Sequence, residues 1–368
     1  MKWNSVYKIK DSVDIYLVDN EFLMIYFMNT RKRMQFNINQ NVVLIIENLD
    51  GEKAADEIFS IVSGKFEISK DEFESFIDKL VEIKVICEKI SEHILNSYYL
   101  NRYDRQLNYF TEFLGSEEAA ELAQKKLIDT TIGIIGCGSV GGDIAIQLAM
   151  AGVERFVLMD YDNVEESDIA RHLYYKYDDV GRKKIEVLSD RLKEINKRIK
   201  TFVSFTALTP ETNIDEFINM SDFIIDTADE PYLGYTAKLV SEKCVPKHKA
   251  HYIAGGFDAH LASTGELVIP YITPCAACYA TYFSKVLVDW KPEKHPVFNR
   301  ANAIGGLASM TLFSSSFACI EIIKYLCGLM DMENNYHSRA EFFFNGMNLE
   351  YIEPNRDPHC KVCGDGNV

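Results

Sequence analysis

The fold of this chain can be inferred from residues 131–162, which read TIGIIGCGSVGGDIAIQLAMAGVERFVLMDYD. A short β-branched run leads into the glycine turn, which we define as residues 136–141, GCGSVG. A helix-like segment follows at 142–151, and an apolar strand at 155–159 ends in Asp160. Strand, glycine turn, helix, strand and acid in this order are typical of the βαβ unit that binds nucleotides.

The glycine turn and the helix after it suit the binding of a phosphate group. Glycines let the backbone approach a phosphate closely, and a helix N-terminus offers unpaired N–H groups and the positive end of its dipole. Asp160 follows the second strand, where a carboxylate can accept hydrogen bonds from ribose hydroxyls. We therefore predict a nucleotide-binding α/β fold, a Rossmann-like, mostly parallel sheet with helices on both faces. A tight turn with only a packing role is the alternative.

Composition excludes several classes of function. The chain has 368 residues and a net charge of -16, whereas binding nucleic-acid phosphates requires clustered Lys and Arg. It contains no uncharged apolar run of about 18 or more residues, which argues against a membrane span, and its first residues lack a signal-peptide core. The odd count of nine cysteines, several of them single in apolar runs, indicates reduced thiols. We expect a cytoplasmic protein whose clustered cysteines bind a metal.

Residues 1–95 are predicted to form an N-terminal domain, and residues 96–368 the nucleotide domain. Three short strands are predicted at 13–18, 22–28 and 31–37, and three helices at 40–48, 53–62 and 71–83. This order suggests a small winged-helix-like α+β module. Its sheet edge and the groove beside its third helix could capture an extended peptide by strand addition. A dimerisation or packing extension is an equal alternative.

The remainder of the chain alternates strands and helices, as a parallel sheet requires. Strands are predicted at 203–208, 223–225, 251–254 and 267–272, helices at 183–195, 214–219, 232–244 and 308–329, and a polar, mobile stretch at 285–302. Arg102 and Arg105 share a helical face and could both point at an anion, although such a pair is usually solvated. Asp226 and Asp229 follow a strand, where carboxylates suit magnesium; capping of the next helix is the alternative for Asp229.

Two C-x-x-C pairs predict a zinc site. Cys275 and Cys278 form the first pair, and Cys360 and Cys363, followed by Gly364, form the second. In a reduced protein such pairs specify a tetrahedral four-cysteine zinc site, and disulfides or redox chemistry are the alternative. A site closed by four sulfurs has no open position for water. We therefore expect a structural zinc that ties the C-terminus to its domain.

Together these motifs resemble the ThiF/MoeB-type, ubiquitin-activating-like adenylyltransferases. The resemblance covers about residues 101–365, and the ordered set of motifs is specific although each motif alone is not. It is greatest to the branch that adenylylates ribosomal peptides, typified by the microcin C-type peptide adenylyltransferase. That branch has the same plan, with a small N-terminal peptide-binding domain, an Arg-Tyr-x-Arg link, the nucleotide domain and a C-terminal C-x-x-C-G.

The resemblance implies how the nucleotide is held. Gly136, Gly138 and Gly141 would line the phosphate turn. Asp160 would hold the ribose, with Asp162 nearby. The nucleotide implied is ATP, which serves the family as a substrate.

The resemblance also implies the reaction. Arg171 and Lys184 would bind the triphosphate, Asp229 would hold Mg²⁺, and Arg105 would reach the phosphates of the other subunit, which implies a two-fold homodimer. A substrate carboxylate, already ionised at neutral pH, would attack the α-phosphorus and release pyrophosphate. Preplaced cations would stabilise the developing negative charge. In the peptide-adenylylating branch, an amide nitrogen of the activated peptide can attack a second ATP.

The chain departs from the family pattern in two places. Asp168 and His172 stand where the family has Asn and Gln, and Glu230 stands where it often has Asn. A carboxylate at position 168 repels a triphosphate unless it is turned away or contacts the metal, so ATP, CTP and GTP all remain open as the nucleotide. A neutral replacement beside Arg171 is an equal alternative for Asp168. Residues 279–306 contain no cysteine, Cys137 lies in the glycine turn, and Cys244, Cys319 and Cys327 lie in apolar helical segments. We therefore predict no thioester step.

The leading prediction is an ATP-dependent adenylyltransferase acting on a ribosomally made precursor peptide, with residues 1–95 binding that peptide. Activation of a ubiquitin-like sulfur carrier for thiamine or molybdopterin synthesis is the second interpretation. A non-catalytic protein that recruits peptides is the third, although such a protein has no use for Arg171, Lys184 and Asp229. An NAD-dependent oxidoreductase would leave these residues and both cysteine pairs without a role.

Overall fold

The computed structural model describes residues 1–18, 21–230, 233–258, 261–286, 305–337 and 339–367. The chain divides into two compact units, Met1–Lys125 and Lys126–Val368. The predicted peptide-binding segment, residues 1–95, falls wholly within the first unit, and residues 96–125 also belong to that unit. Most of the polar stretch predicted at 285–302 lies outside the described residues.

The first unit contains two small antiparallel sheets and several helices. Its strands are β1 (Val6–Ile9), β2 (Val13–Val18), β3 (Phe22–Phe27), β4 (Arg33–Asn37), β5 (Asp50–Ala54) and β6 (Ile86–Glu88). Its helices are α1 (Gln40–Asn48), α2 (Ala55–Ser63), α3 (Lys70–Glu82) and α4 (Ser97–Leu114), and α5 (Glu117–Asp129) contains the boundary with the second unit. The strand orders are β5-β1-β6 and β2-β3-β4. The three predicted strands are thus confirmed as β2, β3 and β4.

Helix α3 shows how local sequence signals and burial agree in the first unit. Ser69 accepts a hydrogen bond from the N–H of Glu72 at 3.2 Å, and the carboxylate of Glu72 accepts one from the N–H of Ser69 at 2.8 Å. This reciprocal pair is a capping box, which satisfies donors that a helix start leaves unpaired. The helix then buries Phe73, Ile77 and Leu80 in the core of the unit. The helix predicted at 71–83 is therefore confirmed, and it buries one apolar face.

The second unit is built around the predicted parallel sheet. Its strands are β7 (Thr131–Ile135), β8 (Arg155–Met159), β9 (Lys200–Ser204), β10 (Phe223–Asp226), β11 (His251–Ile253), β12 (Phe257–Asp258), β13 (Leu261–Ser263), β14 (Glu266–Val268), β15 (Ala340–Phe343) and β16 (Asn348–Tyr351). Its helices are α6 (Ser139–Ala151), α7 (Lys184–Ile195), α8 (Asp215–Met220), α9 (Leu233–Cys244), α10 (Ala276–Val286), α11 (Ala308–Cys327) and α12 (Met332–Asn335). The strand order is β14-β11-β10-β7-β8-β9, in which β14 is antiparallel to β11 and the other pairs are parallel. A second, antiparallel sheet has the order β12-β13-β15-β16.

The middle strands β7, β8 and β10 are buried along nearly their whole length. Continuous burial is expected where helices cover both faces of a parallel sheet. Helices α8 and α9 contribute Phe217, Ile218 and Val240 to one core with strand residues such as Ile224, while α6 packs against α7 and α11. The Rossmann-like α/β class is therefore confirmed.

Helix α11 is long and apolar enough to cross a membrane by length and composition alone. However, 56% of its most apolar window is buried inside the protein, and the helix packs against α6 and β13. The core helix of a globular domain has these same properties. Nothing in the described part of the chain therefore indicates a membrane protein.

Several predicted elements have different bounds in the structure, and three of these differences have a clear cause. The helix predicted at 53–62 begins only at Ala55, because Asp50–Ala54 pairs with β1. The strand predicted at 203–208 is Lys200–Ser204, because its pairing partner β8 ends at Met159. The strand predicted at 267–272 ends at Val268, because a tight turn follows in which Tyr271 has a φ of 65°.

Candidate functional site

The strand order places the predicted nucleotide-binding residues at one edge of the sheet. Strand β7 lies between β8 and β10, and all three run parallel. The glycine turn leaves the carboxyl end of β7, Asp160 and Asp162 follow β8, and Asp229 follows β10. Ligands of open α/β sheets bind in the crevice outside these carboxyl ends. We call this region of the second unit the crevice.

The glycine turn is closed by contacts that only glycine allows. Gly136 has a φ of 85°, and a Cβ there would lie 2.7 Å from Oγ1 of Thr227. A Cβ on Gly141 would lie 2.1 Å from the carbonyl oxygen of Gly136. Gly138 precedes the first residue of α6, and a Cβ there would meet no described atom within 4 Å. The turn therefore leaves open space at the start of α6, where a phosphate would meet the helix N-terminus.

Asp160 ties the glycine turn to the loop after β8. One of its oxygens accepts the N–H of Cys137 at 2.6 Å, and the other accepts the N–H of Asp162 at 2.7 Å. Burial raises the pKa of this carboxyl group, and the two backbone N–H groups oppose that effect. Each carboxylate oxygen has a further acceptor site, so the predicted contact with a ribose is compatible with these bonds.

Lys184 is the first residue of α7 and is held between two carboxylates. Its Nζ donates to Oδ2 of Asp162 at 3.0 Å and lies 3.8 Å from Oδ2 of Asp168. Burial alone would lower the pKa of Lys184, but the carboxylates of Asp168, Asp162 and Asp160 outweigh it and raise that pKa. The ammonium group therefore stays charged at neutral pH, as binding a triphosphate requires.

Arg171 is joined to Lys184 through Asp168. Its Nη2 donates to Oδ1 of Asp168 at 2.7 Å. The carboxylate of Asp168 is 97% buried and thus turned away from solvent, towards the two cations. The structure therefore brings Arg171, Lys184, Asp160 and Asp162 into one chain of contacts with the glycine turn.

His172 is a neutral, buried side chain. Its Nδ1 lies 2.9 Å from the carbonyl oxygen of Asp168, and its ring lies 4.4 Å from that of Tyr175. Burial lowers the pKa of His172 to about 4. The imidazole therefore adds no positive charge to the crevice at neutral pH.

The acidic residues after β10 have separate environments. Asp226 is fully buried, which raises its pKa to about 7, and one of its oxygens accepts the N–H of Ala228 at 3.2 Å. Asp229 is exposed, and its pKa is raised by partial desolvation and then by the charge of Glu230. Glu230 accepts a hydrogen bond from the hydroxyl of Tyr161, across the end of β7. Of these three carboxylates, that of Asp229 is exposed and accepts no side-chain hydrogen bond from the described residues, which fits a magnesium ligand.

Two contacts that hold the glycine turn were not predicted from the sequence. Thr227 Oγ1 donates to the carbonyl oxygen of Gly136 at 2.6 Å. The hydroxyl of Tyr174 donates to the carbonyl oxygen of Cys137 at 3.3 Å. Thr227 lies between Asp226 and Asp229 in the sequence, and this position could have indicated a role at the site. No feature of the sequence pattern indicates a role for Tyr174.

The four predicted zinc ligands lie together in the second unit. Their Sγ atoms are all within 4.8 Å of one another, with 3.7 Å between Cys275 and Cys360 and 3.5 Å between Cys278 and Cys363. A tetrahedral site with Zn–S bonds of about 2.3 Å places its sulfurs about 3.8 Å apart. The N–H of Asp357 also points at the sulfur of Cys278, at 3.5 Å. These four buried cysteines, which we call the cysteine cluster, therefore fit a structural zinc ion.

Arg105 and the thiols of the five remaining cysteines contribute none of the side-chain contacts described above. Arg105 belongs to α4 of the first unit, and its side chain is 96% exposed. Burial raises the thiol pKa to about 11 at Cys87 and about 12 at Cys244 and Cys327. The same cause raises the thiol pKa values of Cys137 and Cys319. All five thiols are therefore protonated at neutral pH.

Comparison with known proteins identifies the family. The ThiF family profile matches residues 103–362, which is most of the chain, so this chain belongs to the ThiF family. The Rossmann-like sheet and the glycine turn lie within the matched region, as does the first cysteine of the C-terminal pair.

Individual relatives have low sequence identity to this chain, but the similarity extends over most of its length. Protein HesA of Leptolyngbya boryana is 28% identical over 270 residues, which are 72% of this chain and 86% of HesA. Adenylyltransferase and sulfurtransferase MOCS3 of Dictyostelium discoideum is 28% identical over 281 residues, which are 75% of this chain but only 60% of MOCS3. E. coli MccB, solved with MccA-N7isoASN, matches 98% of this chain and 99% of its own with a TM-score of 0.72 at 19% identity. The structure of PaaA matches with a TM-score of 0.70 at 21% identity, over 95% of this chain. At these identities the solved structures show a shared fold.

Proposed function

We propose that this chain is an ATP-dependent adenylyltransferase acting on a ribosomally synthesised precursor peptide. It would activate a carboxylate of the peptide, or an amide after activation, and release pyrophosphate during maturation of a peptide natural product. One observation carries the proposal, namely the continuous chain of contacts from the glycine turn through Asp160 and Asp162 to Lys184 and Arg171. A redox nucleotide site has no need of two fixed cations beside the turn, whereas a triphosphate does.

The crevice offers what the transfer of an adenylyl group requires. A triphosphate on the glycine turn would meet the N–H groups at the start of α6, and Lys184 and Arg171 would contact its phosphates. As the peptide carboxylate attacks the α-phosphorus, these cations would stabilise charge on the α-phosphate and the leaving pyrophosphate without reorganisation. A magnesium ion held by Asp229 would supply further charge neutralisation. No general base is needed, because a carboxylate is ionised at neutral pH.

Features of the first unit support peptide binding. Strand β4 is the last strand of the order β2-β3-β4, and most of its residues are exposed, so its free edge could accept an extended peptide as a further strand. The same unit has a groove of about 350 Å³ lined by Leu17, Asn39, Gln40, Val43, Leu44, Glu47, Lys65 and Phe66. E. coli MccB, which shares the fold over 98% of this chain, has been solved with MccA-N7isoASN. Residues 1–95 would therefore form the peptide-recognition module.

The proposal includes a homodimer and excludes a thioester step. The 96% exposure of the Arg105 side chain supports a role outside its own unit, in contact with phosphates bound by a second subunit. The five cysteines outside the cysteine cluster are buried and protonated, and a protonated thiol is a poor nucleophile. The cysteine cluster would hold zinc for stability, because four sulfurs leave no position for a substrate.

Activation of a ubiquitin-like sulfur carrier is the second candidate. The similarity to MOCS3, named as an adenylyltransferase and sulfurtransferase, favours it because it extends over 75% of this chain. The two candidates share the crevice chemistry and differ only in the acyl substrate. A small protein ending in Gly-Gly and a short precursor peptide therefore distinguish them directly.

Pyrophosphate exchange tests the proposal. The purified chain should exchange labelled pyrophosphate into ATP when a precursor peptide encoded beside its gene is added, with CTP and GTP tested in parallel. Asp229→Ala should abolish exchange while leaving the melting temperature unchanged, and Asp178→Ala, at an exposed acid elsewhere in this unit, should leave exchange intact. Exchange with a Gly-Gly carrier protein alone would establish the second candidate. Absence of exchange with every substrate would support a non-catalytic recruitment protein instead.

A further inference from the structure

Asp168 occupies an unusual position for a carboxylate beside a triphosphate site. It lies in the short 3₁₀ turn Glu166–Ala170 and is only 2% exposed. Its Oδ2 accepts the N–H of Glu165 at 3.0 Å, which fixes the carboxylate within the turn. Because it is buried behind its partners, Asp168 acts on a ligand only through Arg171 and Lys184.

The two cations of the crevice are already paired in the free protein. Arg171 lies 2.7 Å from Oδ1 of Asp168, and Lys184 lies 3.8 Å from Oδ2 of Asp168 and 3.0 Å from Asp162. Asp160 adds a further negative contribution at Lys184. Two positive charges are therefore surrounded by at least as many carboxylates. A triphosphate that approaches without a metal meets little net attraction.

A second turn in the same unit has the same architecture without the crevice. In Tyr177–Asp179, Asp179 accepts the N–H of Lys176 at 2.9 Å, contacts Arg182 three residues on at 3.0 Å, and contacts Arg191 of α7 at 2.8 Å. The exposed fractions also match, at 39% and 12% for Arg171 and Lys184 and 40% and 13% for Arg182 and Arg191. Asp179 is therefore a matched structural control for Asp168.

We propose that Asp168 is a positioning residue that holds Arg171 and Lys184 in place while offsetting their charge, so that the crevice captures a nucleoside triphosphate only together with a divalent cation. This inference rests on the proposed function, because it concerns the same crevice and the same triphosphate. The consequence is a coupling of nucleotide and metal binding that an asparagine at position 168 would weaken.

Burial explains why Asp168 keeps its partners when the triphosphate arrives. Releasing both cations would leave an unpaired charge in the interior, which costs far more than an exposed pair gains. The phosphates must therefore share Arg171 and Lys184 with Asp168. A divalent cation on the triphosphate restores the missing attraction, because it reduces the negative charge of the ligand and binds carboxylates such as Asp229.

The test compares ATP binding with and without metal in three variants. Dissociation constants are measured by calorimetry in excess MgCl2 and in EDTA for the wild-type chain, Asp168→Asn and Asp179→Asn. Asparagine retains an oxygen that can accept the N–H of Glu165, so the turn in Asp168→Asn should form. We expect Asp168→Asn to tighten ATP binding in EDTA at least about tenfold and to change binding of Mg·ATP far less. Asp179→Asn should keep the wild-type ratio of the two constants.

Each outcome decides a different point. An unchanged ratio in Asp168→Asn, with the protein folded, overturns the inference while leaving the proposed function intact. Failure of the wild-type chain to bind Mg·ATP at all would instead overturn the proposed function. If Asp168→Asn does not fold, Asp168→Glu keeps the charge and provides the second test, since it should retain the wild-type ratio. An equal change in Asp179→Asn would mean that loosening of either turn is sufficient, and would also overturn the inference.

Discussion

The crevice and the cysteine cluster are both built from short sequence motifs, but the side chains that contact the motif residues differ between the two sites. In the cysteine cluster the four motif residues meet one another, at Sγ distances of 3.7 Å and 3.5 Å within the two closest pairs. In the crevice the motif residues meet carboxylates, because Arg171 and Lys184 contact Asp168 and Asp162. The cysteine cluster is closed to water, whereas Asp229 and the space beside Gly138 remain open.

This difference separates stability from function. Four thiolates around a zinc ion bind only in the folded chain, so their binding free energy adds to folding. Buried carboxylates and partly buried cations in the crevice contribute less to stability, because desolvation opposes their attraction. A substitution in the crevice should therefore lower activity first, and a substitution in the cysteine cluster should lower stability first.

The largest effect is expected at Lys184. Lys184→Met keeps much of the aliphatic length but removes the charge that would stabilise the leaving pyrophosphate, so peptide-dependent pyrophosphate exchange should fall on the order of a thousandfold. The melting temperature should change by only about 2 °C, because buried Asp168 keeps its contact with Arg171 and Asp162 is partly exposed to water. Kinetics of exchange and differential scanning fluorimetry measure the two quantities.

Lys183 provides the control for this substitution. It is the neighbouring residue and is 42% exposed. Its ammonium group pairs with Glu186 at 3.6 Å and lies 4.4 Å from the centre of the Phe205 ring. Lys183→Met should retain exchange within about a factor of three, as surface substitutions usually do. Equal loss of exchange in both variants would show that the start of α7, and not the ammonium group of Lys184, is what matters.

The opposite behaviour is expected in the cysteine cluster. We expect the wild-type protein to contain one zinc ion per chain. Cys360→Ser removes one of its four proposed ligands, so this variant should lack the zinc ion and its melting temperature should fall by about 10 °C. Exchange activity of the remaining folded protein at low temperature should stay near the wild-type value. Elemental analysis, thermal denaturation and the exchange assay check these three expectations.

Cys327→Ala is the matched substitution outside the cluster. Cys327 is also buried, but it lies in α11 and is not one of the four clustered residues. This variant should keep the full zinc content. If the wild-type protein contains no zinc, the prediction of a zinc site is wrong. Redox or disulfide chemistry would then be the better interpretation of the four cysteines.

The sequence predicts the central βαβ unit well because every part of it carries a local signal. Strand β7 was predicted as a β-branched run, and the bounds of β8 were predicted correctly. The short strands β1, β5 and β6 were not predicted, since their pairing is long-range and β5 reads Asp-Gly-Glu-Lys-Ala. Such residues favour turns when no partner strand is considered.

The site shows the same division between local and long-range information. The C-x-x-C spacing alone identifies the four cysteines as metal ligands, because each of them is part of the motif. The family pattern places Lys184 and Arg171 but does not state that Asp168 joins them, because a pattern specifies residue types and not their contacts. The sequence raises the question of an extra carboxylate at position 168, and only the structure shows it turned towards both cations. Tyr174 was missed because its contact with Cys137 spans a loop without a recognisable motif.

The smallest effect is expected at Asp143, a buried acid in the helix that follows the glycine turn, and concerns the pH dependence of stability. Asp143 lies in α6, is 3% exposed, and its Oδ2 has no hydrogen-bond partner among the described residues. Burial raises the pKa of Asp143 to about 7. In the unfolded chain an aspartate has a pKa of about 3.9, so between these values the folded state binds more protons. The free energy of unfolding therefore falls as the pH rises from about 4 to 7 and is level above that range.

Asparagine has nearly the same shape as the protonated acid and does not titrate. Asp143→Asn should therefore match the wild-type melting temperature near pH 4 and exceed it by about 5 °C at pH 8. Asp178→Asn, at an exposed position, should follow the wild-type curve at both pH values. Parallel curves for wild type and Asp143→Asn would contradict the raised pKa. A higher melting temperature at pH 8 without a change in exchange activity would show that Asp143 affects stability and not the reaction. The residues needed for the reaction would then be those of the charged loops around the crevice.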